Sequence, residues 1–185
     1  MHRILINRIP FVARESKKQG HLSVIFRLNH FQLFDVDTKY DINKWYLEQS
    51  YKSLQKVIHP DNFSNGTREE KEYSVFLSTY INNAYTTLKD DYDRSIYLLQ
   101  LNGINVEDGE TVKSGLEEVA ELNEEVETTT ELQPLRERVQ EKIDEIKKEF
   151  SIHLNKGEID KARDKAILLS YYMNIDEKIY YKINE

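Results

Sequence analysis

The sequence contains no cysteine, and this absence excludes several kinds of chemistry. Without thiols, the chain forms no disulfides, holds no thiolate-ligated zinc or iron–sulfur centre, and has no cysteine nucleophile. Glycine and proline are also scarce, with six and three residues among 185, which favours long helices joined by few turns. No run of 18 apolar residues occurs, so the sequence lacks the pattern of a transmembrane helix.

Acidic residues outnumber basic ones, and the imbalance is unevenly distributed along the chain. The sequence has 33 acidic and 26 basic side chains, which gives a formal net charge of −7. Residues 1–28 contain six Arg or Lys and the single acid Glu15, so residues 29–185 carry −12. A chain this acidic repels phosphates, which disfavours nucleic-acid binding.

Residues 1–28 have the composition of a targeting leader. Arginines and lysines are mixed with apolar residues, and no uninterrupted apolar stretch is long enough for a secretory signal. The segment resembles a mitochondrial presequence, which implies a location in the mitochondrial matrix. An ordinary basic tail is the alternative, because Pro10 interrupts the best amphipathic stretch.

Hydrophobic spacing predicts helices throughout the first half of the remaining chain. A short helix is expected over 29–36 and a second one from Asp41 to the proline at position 60, which stops it. A Thr67–Glu70 capping box predicts the start of a third helix, and a fourth is expected over 92–101. The residues predicted to face the core from the two longer helices are Leu47, Tyr51, Leu54 and Ile58, then Tyr73, Phe76, Tyr80, Ala84 and Leu88.

The polar segment 102–113 is the predicted linker to a second domain. Three helices are expected after it, the first opened by a Ser114–Glu117 capping box and the second by a cap from Thr130 and Gln133. The third is expected to begin at Glu158. Their apolar stripes predict three antiparallel helices that bury one another over 114–185.

Motifs for catalysis, metal binding or phosphate binding are absent from the sequence. The five histidines show no paired spacing for a metal, and neither a phosphate-binding glycine loop nor a nucleophile elbow occurs. His59 and Asp61 are a conceivable general-base pair, and a hydrolase that uses them predicts a closed pocket around both. Pro60 between them instead indicates an exposed loop. We therefore expect no enzyme activity, no cofactor and no metal.

The tripeptide His59-Pro60-Asp61 lies in the loop that joins the second and third predicted helices. In this context it resembles the signature of the J-domain, the module by which DnaJ-like co-chaperones act on heat shock protein 70. The segments YKSLQKVIHPDNF (51–63) and INNAYTTLKDDYDRSIYLL (81–99) are also similar to that family.

An acidic three-helix bundle behind a J-domain is similar to the HscB/Jac type of iron–sulfur cluster co-chaperone, and the resemblance covers about residues 29–178. It implies an all-α fold, with a J-domain helical hairpin at 29–101 followed by an HscB-like oligomerisation and client-binding three-helix domain at 114–185. It also implies that the protein stimulates the ATPase of a mitochondrial, DnaK-type heat shock protein 70 and delivers to it an IscU/Isu-type iron–sulfur scaffold. A J-domain co-chaperone with another client or compartment is the main alternative.

The resemblance implies a chaperone-binding surface around the tripeptide. Asp61 would pair with an arginine of the chaperone, and His59 and Pro60 would hold the loop. Lys52 and Lys56 lie four residues apart, opposite the predicted core stripe of their helix, and would form a cationic docking face. Two solvated lysines are the plainer interpretation. Asn62 replaces the lysine usual after the tripeptide, so docking would depend more on Lys44, Lys52 and Lys56.

The resemblance also implies a client-binding surface on the second domain. Its candidate residues, all from the acidic helix or the last helix, are Leu116, Ala120, Glu121, Glu124 and Tyr171. Glu117 and Ala120 stand where the family usually has methionine. An ordinary solvated acidic face is the alternative interpretation. Tyr171 and Tyr172 are adjacent, so one of them must face inward, and the sequence leaves open which one does.

Overall fold

The computed structural model describes residues 28–107, 110–112 and 114–185. Those ranges contain seven α-helices and no strands, which confirms the predicted all-α class. A 3₁₀ helix, Pro60–Phe63, lies between the second and third of them. The predicted leader lies outside the described residues, apart from Leu28. The helices, labelled α1 to α7 in chain order, are His30–Phe34, Lys44–Ile58, Arg68–Lys89, Asp91–Leu101, Leu116–Thr128, Leu132–Asn155 and Ile159–Ile183.

The chain divides into two compact units, one ending at Arg94 and the other beginning at Ser95. The division lies inside α4, whereas the sequence interpretation placed the end of the first domain at residue 101. Val106 and Val112 belong to the segment predicted as a linker, and both contact the apolar core of the second unit.

The first unit is built around the helical pair α2 and α3, with α1 against both. The predicted Thr67–Glu70 capping box opens α3: Thr67 Oγ1 accepts the Glu70 N–H at 3.2 Å, and Glu70 Oε2 accepts the Thr67 N–H at 2.8 Å. Helix α2 starts at Lys44 instead of Asp41, because Asn43 caps it through the Tyr46 N–H. The buried apolar residues of α1 to α3 are Phe31, Leu33, Phe34, Leu47, Leu54, Ile58, Leu77, Ile81, Ala84 and Leu88.

The buried stripe of α3 differs from the predicted one in its N-terminal half. Phe76, expected in the core, is 56% exposed, and Leu77 and Ile81 are buried instead. Leu77, Ile81, Ala84 and Leu88 lie within roughly 60° of one another around a helix with 3.6 residues per turn. The predicted aromatic stripe is rotated from that line, and the face that packs in the core is the aliphatic one.

The second unit is a bundle in which α6 and α7 run antiparallel and α5 packs on α7. Ion pairs join opposite ends of the long pair, with Arg136 on Asp176 at 2.9 Å and Lys165 on Glu149 at 2.6 Å. Alternating three- and four-residue spacing supplies the core, as predicted. Its buried members on α5 to α7 include Val119, Leu122, Val126, Leu135, Val139, Ile143, Ile146, Leu169, Tyr172, Ile175 and Ile179.

Two predicted helix caps in this bundle are wrong. Helix α5 is capped by Gly115 at φ 93°, and α6 begins after Glu131; neither helix has a side-chain cap. Gly115 is held by packing instead, because a Cβ at this position would lie 3.1 Å from a Leu168 methyl group. The left-handed backbone and this close approach both favour glycine there.

A buried arginine joins the loop before α2 to the start of α4. Arg94 is 3% exposed, and its guanidinium donates to the carbonyl oxygens of Tyr40 at 2.8 Å and Leu88 at 2.6 Å, and to the Asp91 carboxylate at 2.6 Å. The guanidinium carbon also lies 4.8 Å from the centroid of the Tyr40 ring. A buried charge with this many partners is a structural group of the first unit.

Acid should weaken the contact between α5 and the end of α7. Glu127 pairs with Lys178 at 2.6 Å and with Lys182, and these two ammonium groups lower the Glu127 pKa from 4.5 to about 2. A depressed pKa stabilises the folded state above the unfolded value and ceases to do so as pH falls through the folded one. We therefore expect Glu127→Gln to lower unfolding stability at neutral pH, with the difference shrinking between about pH 5 and pH 2.

Urea unfolding at several pH values measures this difference. The matched control is Glu137→Gln, which removes an exposed carboxylate from α6. If the difference in unfolding free energy between wild type and Glu127→Gln stayed constant across the acid range, the ion-pair role assigned to Glu127 would be contradicted.

Candidate functional site

The tripeptide His59-Pro60-Asp61 forms an exposed turn at the end of α2. The helix ends at Ile58, and Pro60 begins the 3₁₀ helix because its fixed φ suits a first helical position. The His59 Nδ1 accepts the Asp61 backbone N–H at 3.3 Å and lies 3.4 Å from Asp61 Oδ2. The Asp61 side chain is 90% exposed, so its carboxylate is presented to solvent while local contacts hold the backbone beneath it.

Asn62 replaces the usual lysine and has a structural role in the turn. Its side-chain amide donates to the Lys56 carbonyl oxygen at 2.8 Å and to that of Val57 at 3.4 Å, which are acceptors left free at the end of α2. Asn62 therefore caps the helix that precedes the tripeptide.

A polar and aromatic cluster fixes α2 on α3 below the turn. The Tyr51 and Tyr85 rings stack with centroids 4.1 Å apart, and the Tyr51 hydroxyl donates to Asn82 Oδ1 at 2.9 Å. Gln55 donates to the same oxygen at 2.5 Å and accepts from the Ser78 hydroxyl at 3.1 Å. These contacts set the register of the two helices and so the position of the turn between them.

The three predicted docking lysines are all exposed, but their electrostatic environments differ. Lys44 pairs with Asp91 at 2.5 Å, and Lys52 pairs with Glu48 at 2.6 Å. The Glu48 carboxylate raises the pKa of Lys52. Lys56 makes no ion pair with any residue that the structure describes, and it lies one turn from His59.

Sequence reasoning missed Trp45. This residue is 68% exposed and lies seven and eleven positions before Lys52 and Lys56, on the same face of α2. It is the one tryptophan of the sequence, and exposed aromatic residues of this size are common anchors in protein interfaces. The seven-residue spacing from Lys52 was the signal that could have revealed it.

The His59 and Asp61 side chains do not form an enclosed general-base pair. They are 54% and 90% exposed, so water reaches both. This exposure is the opposite of the closed pocket that the hydrolase alternative predicts. Among the described residues, no group of three or more histidines, aspartates or glutamates could hold a metal ion.

The predicted client residues of α5 share one exposed face. Leu116 is 39% exposed, and Ala120, Glu121 and Glu124 are exposed as well. They lie opposite the buried stripe of α5. An exposed leucine and alanine among carboxylates form a small mixed surface that suits an apolar contact with a basic rim.

The structure distinguishes the two neighbouring tyrosines. Tyr172 is fully buried in the bundle core, whereas Tyr171 is half-buried and donates its hydroxyl to the Glu110 carbonyl oxygen at 3.2 Å. Arg163 pairs with the carboxylate of the same Glu110 at 2.5 Å, which lowers the Glu110 pKa. Tyr171 is therefore the outward member of the pair, and it is fixed by the segment that precedes α5.

The chain is similar to the iron–sulfur cluster co-chaperone protein HscB of Mus musculus, which is 31% identical over 158 residues and matches 82% of this chain. The chain belongs to the HscB family of iron–sulfur cluster co-chaperones. A homologue in the HscB family from Arabidopsis thaliana is 32% identical over 161 residues, or 84% of this chain. The family model of the HSCB C-terminal oligomerisation domain matches residues 114–180.

A solved HscB structure has the same architecture. The crystal structure of the human co-chaperone protein HscB superposes with a TM-score of 0.79 at 30% identity, covering 84% of this chain and 82% of that one. The matched region spans 67% of the mouse HscB protein and 64% of the Arabidopsis homologue, about two thirds of each. In the part of the chain that the structure describes, no helix is both long and apolar enough to cross a membrane.

Proposed function

We propose that this HscB-family chain is a non-enzymatic co-chaperone that stimulates the ATPase of a mitochondrial heat shock protein 70 of the DnaK type. The observation that carries the proposal is the exposed Asp61 carboxylate, 90% accessible on a turn whose backbone is already fixed. Because the turn is already ordered, this carboxylate pairs with a partner's arginine without the entropic cost of ordering a loop on binding. His59 and Pro60 shape the turn.

The exposed face of α2 completes the proposed chaperone-binding surface. Lys56 lies nearest the turn and supplies a cation with no described ion-pair partner, while Lys52 and Trp45 continue the same face along the helix. Lys44 has a lesser role because Asp91 already holds it. Cations along a helix that ends beside an exposed carboxylate suit an acidic chaperone surface that presents one arginine, and such complementarity fixes the orientation of docking.

We infer that the second unit binds the client, an IscU/Isu-type iron–sulfur scaffold. The proposed surface is the exposed face of α5 with the half-buried Tyr171 of α7. The relatives described as iron–sulfur cluster co-chaperones support this client. We also propose the mitochondrial matrix as the location, on the composition of residues 1–28 and the eukaryotic relatives.

One assay tests the proposed function as a whole. ATP hydrolysis by a mitochondrial heat shock protein 70 is measured alone, with this protein, with the scaffold, and with both. We expect stimulation by this protein and a further increase when the scaffold is added. Stimulation without any response to the scaffold would instead favour a J-domain co-chaperone with another client, and no stimulation would refute the proposal.

Substituting the client face should weaken scaffold binding without affecting the chaperone. The triple variant Leu116→Ala, Glu121→Gln, Tyr171→Ala is expected to bind the scaffold roughly 100-fold more weakly, at about 1 kcal/mol for each contact residue. ATPase stimulation in the absence of scaffold should stay at the wild-type level, because the tripeptide turn lies in the other unit. Isothermal titration calorimetry measures the scaffold affinity.

The matched control removes the same residue classes from other exposed positions of the bundle. Ile152→Ala, Glu137→Gln, Tyr181→Ala changes an exposed aliphatic side chain, an acid and an exposed tyrosine. Equal scaffold affinity of the two triple variants would show that the client binds elsewhere.

A further inference from the structure

The sequence contains two asparagine–glycine pairs, Asn65-Gly66 and Asn102-Gly103. In such a pair the backbone nitrogen of the glycine approaches the side-chain amide carbon of the asparagine without obstruction, because glycine has no Cβ. Attack by this nitrogen converts the amide to a carboxylate. The two pairs lie in different environments, so the structure predicts which of them reacts faster.

Asn65 lies in the exposed connection between the tripeptide turn and α3. Its side chain makes no hydrogen bond or ion pair with any residue that the structure describes. The Gly66 N–H donates to the Phe63 carbonyl oxygen at 2.8 Å, and this bond closes a turn at the surface. Opening this turn frees the Gly66 nitrogen, while the Asn65 amide has no described hydrogen bond to lose.

Asn102 is held at the end of α4. Its side-chain amide donates to the Leu98 carbonyl oxygen at 2.8 Å, and the Gly103 N–H donates to that of Gln100 at 3.0 Å. Rotating the Asn102 amide toward the Gly103 nitrogen costs this side-chain hydrogen bond, typically about 1 kcal/mol, in addition to the backbone one. This second pair is therefore an internal reference for the first.

We propose that Asn65 is a site of spontaneous deamidation, with water as the only co-reactant. The Gly66 nitrogen gives its proton to solvent and bonds to Asn65 Cγ. The bond from Cγ to the side-chain nitrogen breaks, and this nitrogen takes up a proton and leaves as ammonia. Water then opens the resulting succinimide ring at one of its two carbonyl carbons, which gives aspartate or isoaspartate at position 65.

The product carboxylate changes the charge of the proposed chaperone-binding surface, and this consequence rests on the proposed function. Positions 61 and 65 are joined by the end of the 3₁₀ helix and a turn, a separation of about 10 Å, which is comparable to the Debye length at physiological salt. A new exposed carboxylate at this distance repels an acidic chaperone surface. Isoaspartate also adds a methylene group to the backbone, which disrupts the turn closed by the Gly66 N–H.

The modification is tested by incubating the full chain in mildly alkaline buffer and following both asparagine peptides by mass spectrometry. We expect amide-to-acid exchange roughly tenfold faster at Asn65 than at Asn102, the ratio that the extra side-chain hydrogen bond supports. The rate should rise with pH, because the attacking nitrogen must lose its proton. In concentrated urea the two rates should become similar, since both pairs are then equally accessible.

Matched variants assign the signal. Asn65→Gln should not react over the same incubation, because it would have to form a larger ring, and Asn102→Gln should leave the rate at Asn65 unchanged. Equal rates at the two pairs in the folded protein, a faster rate at Asn102, or no reaction at Asn65 would overturn the proposal.

A separate assay measures the effect on docking. Asn65→Asp reproduces the aspartate product and should raise the concentration needed for half-maximal ATPase stimulation roughly threefold, the ratio for one exposed charge. The control Asn155→Asp makes the same change at an exposed position of the other unit and should behave like wild type. Equal stimulation by the two variants would overturn the docking effect. No stimulation by wild type would refute the proposed function and the docking effect with it, whereas the mass measurement alone decides the deamidation.

Discussion

Asp61→Ala should make this protein a far weaker stimulator of chaperone ATPase while the protein stays folded. The carboxylate is 90% exposed, and its one described contact is the exposed pairing with His59 at 3.4 Å. The hydrogen bond that holds the turn uses the backbone N–H of Asp61, which alanine retains. The substitution should therefore remove only the ion pair with the partner's arginine.

The size of this effect follows from leaving one charge of an interface unpaired. Truncating one member of a buried charge pair costs about 2–5 kcal/mol, so the concentration needed for half-maximal stimulation should rise roughly 100-fold. A titration of the co-chaperone against chaperone ATPase gives that concentration. Circular dichroism should show unchanged helix content.

Two further variants separate charge from shape. Asp61→Asn keeps the volume of the side chain and should fail like Asp61→Ala, because the partner's arginine needs a carboxylate. Asp37→Ala removes another exposed acid of the same unit and should stimulate like wild type. Full stimulation by Asp61→Asn would mean that a neutral side chain suffices at this position, contrary to the proposed ion pair.

Arg94→Ala should strongly destabilise the first unit. It removes the donor for the buried carbonyl oxygens of Tyr40 and Leu88 and takes one of two cationic partners from Asp91. Unsatisfied buried acceptors cost about 1–3 kcal/mol each, and the lost packing on Tyr40 adds to this. We expect about 4 kcal/mol of lost stability, measured by urea unfolding followed by circular dichroism.

Arg94→Lys and Arg68→Ala are the controls for this prediction. Lysine keeps the positive charge, but its ammonium group cannot reach the three acceptors that the planar guanidinium of Arg94 reaches. Arg94→Lys should therefore lose roughly half as much stability as Arg94→Ala. Arg68 is 90% exposed and pairs with Glu72 one turn along α3, so its removal should cost at most about 0.5 kcal/mol. Equal stability of Arg94→Ala and Arg68→Ala would refute the structural role of Arg94.

The order and type of the helices could be predicted from the sequence, because apolar spacing and the Thr67–Glu70 capping box are local signals. The residue that caps α5 could not. Gly115 packs against Leu168, a residue more than fifty positions later in the chain, and this close contact favours glycine there. The predicted buried stripe of α3 was wrong for a related reason. Phe76 and Leu77 are both apolar, and only packing against the rest of the unit determines which of them is buried.

The turn that carries Asp61 could also be located from the sequence, since the tripeptide follows directly on a helix stopped by proline. The ion pair of Lys44 could not, because its partner Asp91 is distant in sequence. The choice between Tyr171 and Tyr172 likewise needed three dimensions. Adjacent residues on a helix differ by about 100°, and the bundle core decides which one is covered.

The contacts that clamp α2 on α3 have a consequence for how the chain acquires its structure during synthesis. The partners Tyr51–Asn82 and Gln55–Ser78 are only 31 and 23 residues apart, whereas α5 is joined to the last helix by contacts such as Lys182 on the Val126 carbonyl, 56 residues apart. Short separations favour early and rapid folding. The helical pair should therefore form while the ribosome is still translating the bundle, whose last helix must emerge before its core can close.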